Sequence, residues 1–308
     1  MAANNVKGMQ AYAAPSLFQP HRARDAIRDA HKGKIPPLLG YYAGLSSIPI
    51  TRFLAPLKYD MVWIDWEHTA CDVETMTTMV HETIFMSQGA TIPFVRLPSN
   101  DHTWTTWALD AGASIVFPQM ETVEQAKHAV AGTRFGAKRG GARSAPPFRY
   151  LPTITDIPYE AGRDFHQCLN DQAAIMIQIE SLKGVENLDA ILTEVPEIDI
   201  VWIGNLDLRI SMGLPGNGGM GGDEPEYNEA KKKVFKVLDK HDKPYGGFAF
   251  GTAPLGTPEA LKKNSERMAL CVVSADVMHL TNMAQDLHVA RQTLALDTDQ
   301  EDGDATAS

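Results

Sequence analysis

Residues 61–68 read MVWIDWEH, an apolar run of strand type that ends in Asp65, Glu67 and His68. Two acids and an imidazole at the end of a buried segment could grip a cation, hold a guanidinium or move a proton near neutral pH. Three later runs change character in the same way: TIPFVRLP carries Arg96, AIMIQIES carries Gln178 and Glu180, and IDIVWIGNLDL closes on Asp207. Glu180 and Asp207 are hard oxygen donors, and two carboxylates completed by water and substrate oxygens suit six-coordinate Mg2+ or Mn2+. Neither stays ionised easily at the end of an apolar run without a cation, because desolvation disfavours the charged form. Arg96 offers a planar donor fork for a carboxylate or an enolate oxygen, or it could pair with Glu67 or Asp65. His68 is the natural acid/base, and Asp110 in WALDAG is a candidate to orient its ring. Each acid alone also fits a solvated loop start; the recurrence of such groups on four strand ends points to a site.

A device is needed to bring four distant strand ends together. From residue 36 the chain alternates short apolar runs with amphipathic stretches such as DVETMTTMVHETIFMSQG and TVEQAKHAVAGTRFG. Eight runs read as strands: PLLGYYAGL, MVWIDWEH, TIPFVRLP, SIVFPQM, AIMIQIES, IDIVWIGNLDL, PYGGFAF and ALCVVSADV. Runs that are apolar throughout suit a sheet covered on both faces. Eight of them predict an α/β fold, a single (β/α)8 TIM barrel, whose C-terminal strand ends all open on one face. The rival is an open doubly wound sheet, but no Gly-rich phosphate fingerprint follows the first strand. Residues 1–35 are expected to form a helical N-terminal extension, 36–294 the barrel and its C-terminal helix, and 295–308 a disordered acidic tail. Two Gly- and Pro-rich stretches, Phe135 to Tyr159 and GLPGNGGMGGDEPEY, read as long loops, the second directly after the sixth strand.

Lys+Arg 28 against Asp+Glu 38 leaves a net charge of −10, which opposes a nucleic-acid partner, and no basic stripe overturns that. No apolar run reaches membrane-spanning length, so no membrane role is expected. Cys71, Cys168 and Cys271 are too widely spaced for a zinc site or a disulfide framework and read as reduced thiols. A cytoplasmic protein is expected; Arg22 and Arg24, with no acid before Asp25, leave a mitochondrial address as the alternative.

DWEH, FVRLPSND, ALDAGASIVFPQMETVEQAKHAV, IQIESLKGVENLDAI and IGNLDLRISMG resemble the HpcH/HpaI family of metal-dependent 2-oxo acid aldolases over roughly residues 36–290. The resemblance implies a barrel that assembles as a homo-oligomer, a hexamer in many members, with a C-terminal helix exchanged between subunits. It implies that Glu180 and Asp207 bind a divalent metal (Mg2+, Mn2+ or Co2+), that Arg96 steadies an enolate oxygen, and that His68 with Asp110 forms the acid/base pair. Asp65, Glu67, Gln178, Trp66 and Asn205 would lie beside them, touching substrate or the residues that do. Trp66, Asn205 and Arg209 depart from the family's usual residues close to the ligands, so the electrophile is left open. The implied activity is reversible aldol cleavage of a 4-hydroxy-2-oxo acid to pyruvate and an aldehyde. Alternatives are oxaloacetate decarboxylation to the same enolate, with or without capture by a second electrophile, a CoA-ester lyase, and a non-catalytic barrel. A Schiff-base route lacks a candidate lysine, since no strand from the second to the sixth ends in Lys.

Overall fold

Each of the eight apolar runs contains one strand of a closed, all-parallel barrel whose strands follow one another in chain order. The computed structural model describes residues 8–146, 150–158, 160–253 and 255–294, without the side chain of Arg139. The expected acidic tail at 295–308 lies outside the described residues. The strands are β1 (Leu38–Ala43), β2 (Met61–Asp65), β3 (Ile92–Arg96), β4 (Ser114–Phe117), β5 (Ile175–Ile179), β6 (Ile200–Ile203), β7 (Tyr245–Phe248) and β8 (Met268–Ala275). β8 closes the ring by pairing with β1. Every residue of β2, β3 and β5 is buried, which is why these runs are apolar without alternation.

Side chains of alternate parity enter two separate cores. Met61, Trp63, Phe94, Met176, Ile200 and Trp202 fill the barrel interior. Val62, Ile64, Val95, Ile177 and Val201 face outward against the helices. Inward parity on β2, β3 and β5 therefore leads up to Asp65, Arg96, Gln178 and the residue just past the strand, Glu180.

The helices that wrap the barrel include α1 (Ala23–His31), α2 (Ile48–Leu54), α3 (Val73–Met86), α4 (His102–Ala111), α5 (Val123–Gly132), α6 (Phe165–Asn170) and α7 (Leu182–Glu194). They continue with α8 (Asn205–Ser211), α9 (Pro225–His241), α10 (Pro258–Ser265), α11 (Asp276–Leu280) and α12 (Asn282–Thr293). α1 belongs to the N-terminal extension and closes the barrel floor, packing Ala23, Ala26 and Ile27 onto the interior core. Local sequence sets several helix starts. Asp72, Asp101 and Ser181 each accept a hydrogen bond from a backbone N–H in the first turn, and Thr122 with Gln125 forms a reciprocal box.

Two expectations shift. IDIVWIGNLDL does not run as a strand to Asp207: β6 stops at Ile203, Gly204 caps, and α8 begins at Asn205. Gly204 has room for that turn only without a side chain, because a Cβ there would lie 2.1 Å from Glu180 Oε1. The second Gly-rich loop accordingly follows α8 rather than the sixth strand and ends where Pro225 opens α9.

Candidate active site

Asp65 ends β2 and Arg96 ends β3, in register with each other. Arg96 donates side-on to Asp65, Nε to Oδ1 at 2.9 Å and Nη2 to Oδ2 at 2.6 Å. Its Nε also lies 3.2 Å from Glu67 Oε2, so the pairing left open by the sequence involves both acids. The backbone N–H groups of Glu67 and His68 donate to Asp65 Oδ1 at 3.1 and 3.3 Å, bending the chain after β2 around this carboxylate. Burial alone would raise the pKa of Asp65; the Arg96 hydrogen bonds and charge outweigh it and hold the group below the usual carboxylate range. Glu67 is pushed upward by burial, and the Arg96 charge only partly offsets this. His68 stands at the rim with its Nε2 3.6 Å from Glu67 Oε2 and most of its side chain exposed.

Glu180 lies just past β5, only 6% exposed. Its Oε2 accepts from the backbone N–H of Gln119 at 2.8 Å and its Oε1 from Gln178 Nε2 at 2.9 Å. Burial lifts its pKa to about 7, the Gln119 hydrogen bond opposes that, and the nearby Asp207 carboxylate adds to the rise. The Asp207 charge also reaches Glu67. Glu180 and Asp207 share a cleft of about 260 Å3 with Gln119, Glu121 and Ile210. Gln178 is buried beside Glu180, and among the described residues its Oε1 has no hydrogen-bond partner.

The donor set suits a hard divalent ion: two carboxylates line one cleft, one of them buried, with its pKa lifted chiefly by that burial and further by the charge of the other. Among the described residues no group of three or more His, Cys, Asp or Glu converges as a metal site. A larger cavity of about 450 Å3 lies at the barrel floor. Its charges are matched, Arg24 with Asp199, Lys32 with Asp242 and Arg163 with Asp171, which marks a salt-bridged floor rather than a reacting centre.

Three expected site residues are placed otherwise. Asp110 sits in the last turn of α4 and accepts from Arg143 Nη2 at 2.7 Å. A helix following a barrel strand runs back down, so its last turn lies at the opposite end from His68; the expected His68–Asp110 pair is not made within the chain. Trp66 has outward parity: its indole N–H donates to the Cys71 carbonyl at 2.7 Å and its ring meets Trp104 edge-on at 5.1 Å. Asn205 accepts from the Tyr227 hydroxyl at 2.6 Å, tying the start of α8 to α9. Arg209 is fully buried, donating to both carboxylate oxygens of Glu224 at 2.6 and 2.7 Å and to the Pro215 carbonyl at 2.6 Å, so it clamps the Gly-rich loop.

Sequence reasoning missed Tyr42 and Gln119. Tyr42 accepts from Arg96 Nη2 at 3.0 Å and donates to Asp65 Oδ2; its inward parity two residues beyond Gly40 was the available signal. Gln119 carries a φ of +48°, unusual for a residue with a side chain, in the turn that aims its N–H at Glu180. Nothing local in PQM foretells that.

Residues 39–253 match the family described as HpcH/HpaI aldolase/citrate lyase. The chain is 28% identical over 262 residues to the hydroxypyruvate/pyruvate aldolase of Paraburkholderia phytofirmans, covering 84% of this chain and 92% of that one. It is 30% identical over 209 residues to the 5-keto-4-deoxy-D-glucarate aldolase of Salmonella arizonae, covering 68% and 76%. Macrophomate synthase shares the fold with a TM-score of 0.80 and 31% identity over 94% of this chain and 95% of that structure. A barrel of this order, with acids and a guanidinium gathered at its C-terminal mouth, and a match that spans most of its length, lead to one assignment: the chain belongs to the HpcH/HpaI aldolase/citrate lyase family and is a lyase of its aldolase type.

Proposed function

We propose that the protein is a divalent-metal-dependent carbon–carbon lyase that cleaves 4-hydroxy-2-oxo acids reversibly to pyruvate and an aldehyde through pyruvate enolate. The observation that carries this reading is the pair Glu180 and Asp207 lining one cleft, with the charge of Arg96, held side-on by Asp65, acting on Glu180. Glu180 and Asp207 would hold Mg2+, Mn2+ or Co2+, which when bound supplies a Lewis acid for the oxygens of a 2-oxo acid. Gln178 holds Glu180 in place through its amide N–H. Arg96, kept charged by Asp65, stands beside the pair to balance the negative charge that develops on the enolate oxygen.

In the cleavage direction His68 takes the proton of the C4 hydroxyl, the C3–C4 bond breaks, and its electron pair passes into the enolate. The aldehyde leaves, and a proton added at C3 yields pyruvate. The rim position and exposure of His68 allow it to exchange that proton with solvent between turnovers. A His68–Asp110 contact would require two copies of the chain, consistent with the homo-oligomer we expect. α12 supports assembly, since it buries none of its residues and exposes Met283, Leu287 and Val289.

A second reading, decarboxylation of oxaloacetate to the same enolate and its capture by another electrophile, is supported by the likeness to macrophomate synthase. Both are tested by one assay panel: pyruvate release from oxaloacetate and from several 4-hydroxy-2-oxo acids, with each of the three metals and with EDTA. Release from hydroxy-oxo acids that EDTA abolishes is the expected result. Release from oxaloacetate alone favours the second reading, and none from either defeats both.

A further inference from the structure

Arg96 has five N–H donors, and the structure accounts for three. The Nε hydrogen goes to Asp65 Oδ1, and the two Nη2 hydrogens go to Asp65 Oδ2 and the Tyr42 hydroxyl. Among the described residues Nη1 has no hydrogen-bond or ion-pair partner, so it is the edge of the fork available to a ligand. Asp65 fixes the guanidinium in its own plane, but a side-on carboxylate by itself leaves the plane free to swing about the line joining the two groups. The Tyr42 hydroxyl stops that swing, because it accepts from Nη2 and donates to Asp65 Oδ2, closing a three-membered ring of hydrogen-bonded groups. Tyr42 is itself held. Its ring packs 6.1 Å from Trp63 and meets Phe248 edge-on at 6.0 Å, while the Arg96 guanidinium carbon lies 5.9 Å from the Tyr42 centroid and 5.7 Å from that of Trp63.

We propose that Tyr42 is a positioning residue for the reaction: its hydroxyl sets the direction in which Arg96 presents Nη1 to the substrate oxygen that gains negative charge. This rests on the enolate reading above. A donor aimed at charge that exists only in the transition state affects turnover more than ground-state binding. Removing the hydroxyl leaves the ring packing intact while freeing the guanidinium.

The test is Tyr42→Phe in the full-length, metal-loaded protein. We expect kcat to fall about tenfold with KM changed less than about twofold. We also expect oxalate, a planar dianion that mimics the enolate, to lose about tenfold in affinity while pyruvate loses little. In an Arg96→Lys background, where no Nη2 exists, the same change should add nothing. Unchanged kcat and oxalate affinity in an active enzyme would overturn the inference alone. Equal losses for oxalate and pyruvate, with a lowered Tm, would reduce Tyr42 to a packing residue. Wild-type protein inert toward pyruvate and oxalate would overturn the functional reading and this inference together.

Discussion

Asp65 accepts from the Arg96 guanidinium, from the Tyr42 hydroxyl and from two backbone N–H groups at once. Its side chain is 1% exposed, so replacing it leaves a buried guanidinium whose remaining acidic partner is the more distant Glu67. Asp65→Ala should therefore cost about 3 kcal/mol of stability, read from urea unfolding, and remove most activity. An equally large effect is expected from a smaller change. Gly204→Ala places a Cβ 2.1 Å from Glu180 Oε1, and displacing that carboxylate by about an ångström should lower kcat about a hundredfold. Wild-type turnover in folded Gly204→Ala would show that the chemistry does not depend on the position of Glu180.

At the scale of elements, the eight strands were legible because burial on both faces writes itself as unbroken apolar runs, and the polar residues at the ends of those runs pointed to Asp65, Arg96, Gln178 and Glu180. What escaped was whatever depends on direction rather than pattern. Asp110 was paired with His68 by residue type and family resemblance, yet a descending helix carries its last turn to the other end of the barrel. Trp66 lies one residue past Asp65 and so faces the helices. The end of β6 was hidden because Leu206 and Leu208 carry apolar residues past the strand, and the close approach of Gly204 to Glu180 is what requires a glycine at the turn. Two elements make testable predictions. His21, 2% exposed, ties the segment before α1 to the turn after α3 through the Gly89 carbonyl at 3.1 Å. Burial lowers its pKa from the ordinary 6.5 to about 4. The unfolded chain binds the proton first, so this contribution is complete above pH 6.5 and is lost as pH falls toward 4, by up to about 3 kcal/mol. Stability in that window should fall less steeply in His21→Gln, and an identical slope would remove His21 as the cause. The Gly-rich loop depends in turn on the Arg209–Glu224 clamp; in Arg209→Met, limited proteolysis should cut first between residues 213 and 224, where wild type resists.

For the whole molecule, a parallel barrel gathers on one face residues that are more than a hundred positions apart, and α1 seals the other face. The exposed apolar residues of α12 predict self-association: Met283→Glu with Leu287→Glu should shift the mass measured by light scattering toward the single chain. An unchanged mass would mean that another surface holds the assembly. The mouth itself gathers acids around one tethered arginine, and the proposed function requires that Glu180 and Asp207 hold a divalent ion there. Proton NMR of pyruvate in D2O examines that condition without knowledge of the natural aldehyde. With Mg2+ the wild-type protein should exchange the methyl protons for deuterium, EDTA should stop the exchange, and Glu180→Gln and Asp207→Asn should be silent while remaining folded. Exchange that persists in EDTA, or that survives in both variants, would contradict the assignment of those two carboxylates.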